Sequence, residues 1–498
     1  MSVIRSLVAY IAWLACVTDL VTAAPPRIHP DRFGIHVVDE QGRGIPLVEL
    51  RTVNEIRRVT DNAGWIAWDE PGMMDREIFW YVGGPGIERE KDGFSFRGVR
   101  AVTKRGAFAE CQVTTSNIAT RMGRLTGQGL YRDSEQLGLS HPMANIIEPG
   151  VAGQDSVQAV PFNGGLFWLW GDTTQTRYPL GNFHTTCATT AANLDPEKGI
   201  AFDYFRDSGD PQLLRRMMPS TEPGVIWMFG LMSFHDRDGR ERLFAGFSRR
   251  QGLGPVFEQG IAEFDPSAGH FAKVADVAKE NDWTFPQGNA VRVKTQEGDH
   301  FYFCRPFAHV RVVADVASIA DPNKYEMLQW DESSSAWLWR SGLKPTTQED
   351  EENLIASGNM QPDHAKYRVM DPATGTEVRL HTGSIAWNQF RQRFVMVAAQ
   401  IATSAASPSV LGEIWYAESN SILGPWTVAV KIASHPNYSF YNPVHHIFFD
   451  RDGGRIIYFE GTYTVQFSGN SLATPHYDYN QLLYRLDLSD PRLKVVQQ

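Results

Sequence analysis

Cysteine is scarce in this 498-residue chain, which holds 4. Cys16 lies in an N-terminal segment read below as a leader, so its removal leaves Cys111, Cys187 and Cys304. Three cysteines allow one disulfide at most, which excludes a cystine framework. No C-x-x-C or H-x-x-x-H pair occurs, so the spacing supports no zinc site, and no metal or cofactor is expected. Positive charge is short as well: 47 Lys and Arg stand against 57 Asp and Glu, a formal net charge of -10. Such a chain cannot neutralise a row of phosphates, which argues against nucleic acid as a partner. Long apolar runs are also missing. Leu7 to Val17 is an apolar run of 11 residues, whereas a helix crossing a bilayer needs roughly 20. Arg5 precedes the run and the small-residue site Val21-Thr22-Ala23 follows it, so residues 1–23 read as a cleavable signal peptide. The expectation is a secreted or periplasmic protein whose mature chain has no membrane span. Asp19 suits neither a leader nor an anchor.

What the chain has in quantity is aromatic residues, 12% in all with 14 Trp and 28 Phe. Aromatics at that density suit strands and surfaces that stack on sugar rings. The length predicts two domains, or one large repeat architecture with a small companion. Residues 33–113 alternate strand, polar turn and strand, as in FGIHVVDEQGRGIPLVELRTV and RRVTDNAGWIAWDEP. The V-D-x-x-G-x-x-I-x-x-V pattern there resembles the small β-sandwiches of the transthyretin or carboxypeptidase-regulatory type. Residues 114–150 read as a connector.

From residue 151 to 498 one scheme recurs: two apolar strands around a polar turn, then further strand-like segments. The hairpins are DSVQAVPF-NG-GLFWLWGD, GVIWMFGLMSFHD-RDG-RERLFAGFS, GNAVRVKT-QEG-DHFYFCRP, GSIAWNQ-FRQ-RFVMVAAQ and PVHHIFFD-RDGG-RIIYFEGT. Repeated sheets of about four strands with uneven spacing predict an all-β chain, a five-bladed β-propeller behind the small sandwich. A β-sandwich of similar strand content would not need the same hairpin five times.

The first hairpin ends in a carboxylate. If Asn163-Gly164 forms a two-residue turn, Phe162 faces Gly165, and counting outward sets Asp155 opposite Asp172. Opposed side chains have Cβ atoms about 4.5–5.5 Å apart, and like charges there destabilise a sheet. Such a pair either shares a proton or binds something positive. Paired carboxylates are also the working groups of glycoside hydrolysis, one protonating the leaving oxygen while the other attacks or activates water. The alternative is structural, with Asp155 capping a strand and Asp172 closing a turn. On the same end of the ring the scheme places Arg249, Arg305, Gln400 and Glu460, with His184, Glu258, Arg311, Glu413 and Asn480 on the third strands. Glu413 and Glu460 stand among apolar neighbours, where a buried ion pair with Arg305 or Arg249 is the competing reading.

The WGDT strand end, the upstream GQDS and the later WYAESNSILGPW resemble the five-bladed propeller glycoside hydrolases. The resemblance spans about 150 to 490 and is greatest to secreted propellers, once labelled only a domain of unknown function, that include endo-D-arabinanases. Arabinanase and β-xylosidase propellers are more distantly similar. The resemblance implies that Asp155 and Asp172 match paired first-blade carboxylates and that Glu413 is an acid or a pKa modulator. His184, Arg177, Arg305, Glu460, His446, Tyr441 and Glu258 are the candidates for contacting substrate, Arg177 from an 11-residue loop at Thr173–Phe183. The last repeat departs from the pattern. FYNPVHHIFFD and TPHYDYNQ bring His445, His446, Tyr438, Tyr441 and Tyr477 toward the ring, and Tyr and His beside Arg are the tools of polysaccharide lyases. Three function classes therefore stand: a hydrolase of a polysaccharide or oligosaccharide, a propeller lyase acting on a uronate-containing glycan, and a non-catalytic glycan-binding propeller. Nothing in the sequence fixes the oligomeric state.

Overall fold

A computed structural model describes residues 26–144, 150–279, 287–402, 407 and 409–497. The predicted leader at 1–23 lies outside the described residues. Among the described residues the chain is nearly all β, with helices only at Arg132–Gln136, Val316–Ile319 and Gln348–Ala356 besides short 3-10 turns.

Two sheets come first. Trp65–Trp68, Phe33–Val38 and Phe108–Gln112 form one; Arg57–Val59, Glu49–Thr52, Glu77–Gly83 and Gly98–Val102 form the other. They enclose one apolar cluster that includes Val37, Leu50, Ile66, Trp68, Trp80 and Cys111. The first polar turn works through its acid: the Asp39 carboxylate accepts from the backbone of Gln41 and Arg43, and Gly42 takes φ 76°. An Asp side chain that mimics a backbone acceptor is what nucleates such turns.

Five antiparallel sheets follow, three of them built wholly from consecutive strands. They begin at Gln158–Phe162, Val225–His235, Asn289–Thr295, Leu380–Asn388 and Ser439–His445. The first strand of each touches the first strand of the next, and Asn442 of the fifth donates to Ser156 Oγ, just ahead of the first, at 2.7 Å. Strand alternation explains the layering. In Gly165–Trp170, Leu166, Trp168 and Trp170 face a cluster shared with Tyr458 and Leu483 of the fifth sheet. Phe167 and Leu169 face one shared with Met228 and Phe247 of the second. The same period-2 split recurs at Phe303 and Tyr302, at Met396 and Val397, and at Phe459 and Tyr458, so five apolar clusters each lie between two consecutive sheets. Strands buried on both faces must be apolar at nearly every position, which is why the second strands read as unbroken Leu, Phe and Trp. Each such side chain contributes about 1.5–3 kcal/mol on burial.

Three segments differ from the sequence reading. Thr120–Arg124, expected inside a connector, pairs antiparallel with Asn480–Asp487 and completes the fifth sheet. Two arginines and a glycine in five residues carry no strand signal; tertiary pairing makes the strand. Thr173–Phe183 is a hairpin, Thr173–Gln175 against Tyr178–Asn182, because Val151–Gln154 offers it an edge. In the fifth hairpin the first strand is Ser439–His445, and Ile447–Phe449 is a 3-10 turn. His445 bonds Asp450 and His446 bonds Glu460, both at 2.7 Å, which draws the chain out of the strand.

The two early sheets are tied to the fifth by Arg121. Its buried guanidinium donates to the carbonyls of Pro46, Leu47 and Pro85 and to the Tyr484 hydroxyl. Asp133 adds a second tie, accepting from Ala67 N at 2.9 Å and from the Tyr477 hydroxyl at 3.1 Å.

Candidate active site

Asn163 and Gly164 both take positive φ, 50° and 71°, the backbone of a type I′ turn. The turn fixes Phe162 opposite Gly165 and Gln158 opposite Leu169. Gln154 lies opposite Thr173 in the same register, so Asp155 and Asp172 face each other across the strands. Asp155 N donates to Asp172 O at 3.1 Å and Gly171 N to Asp155 O at 2.9 Å. Asp172 N turns instead to the Asp155 side chain, donating to Oδ1 at 2.9 Å. Glycine at 171 has a steric cause: a Cβ there would sit 2.7 Å from Asp155 Oδ1.

The two carboxyls have different surroundings. Asp155, half-buried, accepts through Oδ2 from the Tyr441 hydroxyl at 3.0 Å, and the Tyr479 hydroxyl also favours its ionised form. Asp172 is 7% exposed and accepts through Oδ1 from Trp227 Nε1 at 2.8 Å. Burial raises both groups; Asp172 is pushed up to about 8, first by desolvation and then by the Asp155 charge. Donors that favour the ionised form converge on Asp155, whereas Asp172 has a single donor. The physical assignment is an ionised Asp155 beside an Asp172 that keeps its proton at neutral pH. The Tyr441 and Tyr479 hydroxyls are raised well above their ordinary range, by burial and then by Asp155, and serve as donors. Ser156, Asn442 and Tyr479 all take positive φ, so three strained residues surround the pair, a feature that concentrates at functional sites.

Beside the pair is a cavity of about 600 Å³ whose lining includes Ser156, Gln158, Arg250, Asn289, Tyr441 and Asn442. The Arg250 guanidinium lies over the Trp227 ring, 5.4 Å from its centroid. The Trp227 ring that donates to Asp172 thus lies under an arginine that lines the cavity.

The other predicted residues are placed as follows. Arg305 lines the cavity and donates to Gln287. Glu413 is buried on the third strand of the fourth sheet, with Lys431 on one oxygen at 2.8 Å and Ser434 Oγ on the other at 2.7 Å; it is not brought to the pair. Glu258 is bound by Lys273 and Arg249 and lowered chiefly by Lys273. Glu460 and His446 bond each other at 2.7 Å inside an aromatic core, with Trp168 at 5.2 Å from the imidazole. The partners of these two buried glutamates are therefore Lys431 and His446, in place of the expected Arg305 or Arg249. His184 accepts from Ile226 N at 3.1 Å and is lowered to about 4 by burial and by Arg216. Arg177 is exposed and paired with Asp210 at 2.8 Å, and Tyr178 is exposed as well. Sequence reasoning missed Trp227, Arg250 and Tyr479. Tyr479 had a signal, standing in the TPHYDYNQ stretch that departs from the repeat. Trp227 and Arg250 fall at the two ends of the second hairpin, directly paired strands whose relation to Asp172 depends on how sheets neighbour one another. Among the described residues, no three His, Cys, Asp or Glu side chains gather as a metal site.

No protein-family model matches the chain, and no curated protein matches it. Among solved structures it is similar to a GH43_1 enzyme from Xanthomonas citri complexed with xylose, at 12% identity and TM-score 0.35, covering 70% of this chain and 89% of that one. An exo-1,5-alpha-L-arabinanase from a bovine ruminal metagenomic library follows at 10% identity and TM-score 0.34, covering 68% and 94%. An exo-beta-1,3-galactanase from Phanerochaete chrysosporium with beta-1,3-galactotriose stands at 10% and 0.34, covering 68% and 61%. Likeness at this level carries no argument about chemistry, which rests on the residues of this chain.

Proposed function

We propose that the five sheets are the blades of a five-bladed β-propeller, preceded by a small β-sandwich at 33–113, and that the protein is a secreted glycoside hydrolase. The observation that carries the reading is the opposed Asp155–Asp172 pair, which holds a proton at neutral pH beside a cavity large enough for sugar rings. In this reading Asp172 gives its proton to the leaving glycosidic oxygen. Ionised Asp155, steadied by the Tyr441 and Tyr479 hydroxyls, either attacks the sugar or takes a proton from the attacking water. Water supplies the hydroxyl that ends on the new reducing end, and the pair regains its proton. Trp227 holds Asp172 in place, and the Tyr441 ring in the cavity wall offers a face to the substrate. Glu413 stands as a structural ion pair in this scheme. The lyase alternative asks a tyrosine or histidine to abstract a proton; Tyr441 instead holds its proton firmly and donates it to Asp155, which favours hydrolysis.

The test is a screen of purified protein on a polysaccharide panel with chromatographic product detection. New reducing ends without the ultraviolet absorbance of an unsaturated uronate support the hydrolase. That absorbance would replace it with the lyase, and binding without any product with a glycan-binding module. Asp155→Asn and Asp172→Asn should each lose about 10²–10⁴-fold in turnover; retained activity in either removes that residue from the mechanism.

A further inference from the structure

The cavity beside the aspartate pair has a chemical bias of its own. Among the described residues its lining contains Arg250, Arg305 and His381 and no Asp or Glu, in a chain whose net charge is -10. Neutral sugars present hydroxyl donors, and a wall that recognises them needs strong acceptors. Among the described residues this wall offers amide side chains as acceptors but no carboxylate. It is also rich in polar atoms without partners: Arg250 Nε, Ser248 Oγ, His381 Nδ1 and Thr382 Oγ1 are all buried with no hydrogen-bond partner among the described residues. Buried polar atoms are nearly always paired in folded proteins, so four on one cavity wall point to a ligand that completes them. Burial, and then Arg305, lowers His381 below its ordinary value, so the fixed positive charge of this wall comes from the two guanidiniums. A planar guanidinium matches a carboxylate or phosphate through two parallel bonds.

We infer that the cavity binds a sugar carrying an anionic group, a carboxylate or a phosphate ester, with Arg250 and Arg305 as its charge partners. The inference rests on the hydrolase reading for its placement. Arg250 lies over Trp227, and Trp227 holds Asp172, so the anionic group sits next to the bond to be cleaved. Arg250 is then a specificity determinant, selecting a charged residue of the glycan over its neutral counterpart.

Isothermal titration of the full chain with glucuronate, inorganic phosphate and neutral xylose tests the inference. Glucuronate or phosphate should bind in a salt-sensitive manner. Arg250→Gln and Arg305→Gln should each weaken that binding at least tenfold, and Arg250→Lys should recover part of it. Melting temperatures and circular dichroism identify any variant that fails to fold, in which case the other arginine carries the test. A preference for glucuronate makes the group a uronate; a preference for phosphate makes it a phosphorylated sugar. If neither anion binds, or if folded glutamine variants bind as tightly as the parent, the inference is overturned. Hydrolysis of a neutral glycan without anion binding would sink this inference and leave the hydrolase standing. Arginine-dependent anion binding without hydrolysis of any glycan would do the opposite.

Discussion

Replacing Asp172 with Asn removes a titrating proton while keeping the shape and the oxygen that Trp227 binds. The folded carboxyl titrates near 8 against 3.8 for the free group. The native state therefore holds a proton that the unfolded chain has released across that window. Stability from this group is complete below about pH 4 and declines as pH rises, reaching its full deficit above about 8. At about 1.4 kcal/mol per unit the shift sets an upper bound of about 6 kcal/mol, and relaxation of the pair brings the working figure to about 2–3 kcal/mol. Asp172→Asn lacks this dependence. Its melting temperature should match the parent at about pH 4 and exceed it by about 2–5 °C at pH 9, given that a kilocalorie moves a large domain by only a few degrees. Scanning fluorimetry in buffers of equal ionic strength reads the gap, and turnover is measured on the same samples. A gap that closes as pH rises, or a variant that keeps full turnover, refutes the assignment of the proton to Asp172.

Further outcomes are specific to other residues. Tyr441→Phe removes one donor from Asp155, so Asp155 should ionise less readily and the acidic limb of the pH–rate profile should move upward by about one unit; an unmoved limb argues that Tyr441 has no bearing on the ionised form. Glu413→Gln should leave turnover within about twofold and cost roughly 1–2 kcal/mol in urea unfolding, because it leaves Lys431 without its acid; a large loss of turnover would restore Glu413 as an acid. A chain beginning at residue 114 takes away the carbonyls that Arg121 holds and should melt lower. One beginning at 126 also lacks Thr120–Arg124 and should fail to form the fifth sheet; near-native circular dichroism for the second would contradict the role of that strand.

What the sequence made legible follows from how local each signal is. The Asn163-Gly164 turn and the apolar alternation around it are local, and together they specify the Asp155–Asp172 opposition before any tertiary contact is known. The doubly apolar second strands are legible for the same reason, since a strand buried on both faces has no polar phase to hide. The partners of Glu413, Glu460 and Glu258 were not legible. Lys431 and Ser434 face Glu413 across a strand pair whose register shifts between Ile414 and Trp415, and one such shift moves every partner. His446 meets Glu460 because the chain leaves the strand after His445. The Trp227–Arg250 stack depends on how the second sheet neighbours the first, which no period in the sequence encodes.

The pairing of Thr120–Arg124 with Asn480–Asp487 also sets an order of events in time. Arg121 and its partner Tyr484 are 363 positions apart. Ribosomal synthesis at about 5–20 residues per second therefore separates their emergence by roughly 20–70 s. Through that interval the first four sheets can form from neighbours already made, while this strand waits with its backbone groups unpaired. A waiting edge is a template for the wrong chain, and its brevity, its two arginines and its glycine make it a poor one. Completing the fifth sheet is then the last act of assembly, and the chain is committed to its final shape only when almost all of it has been made.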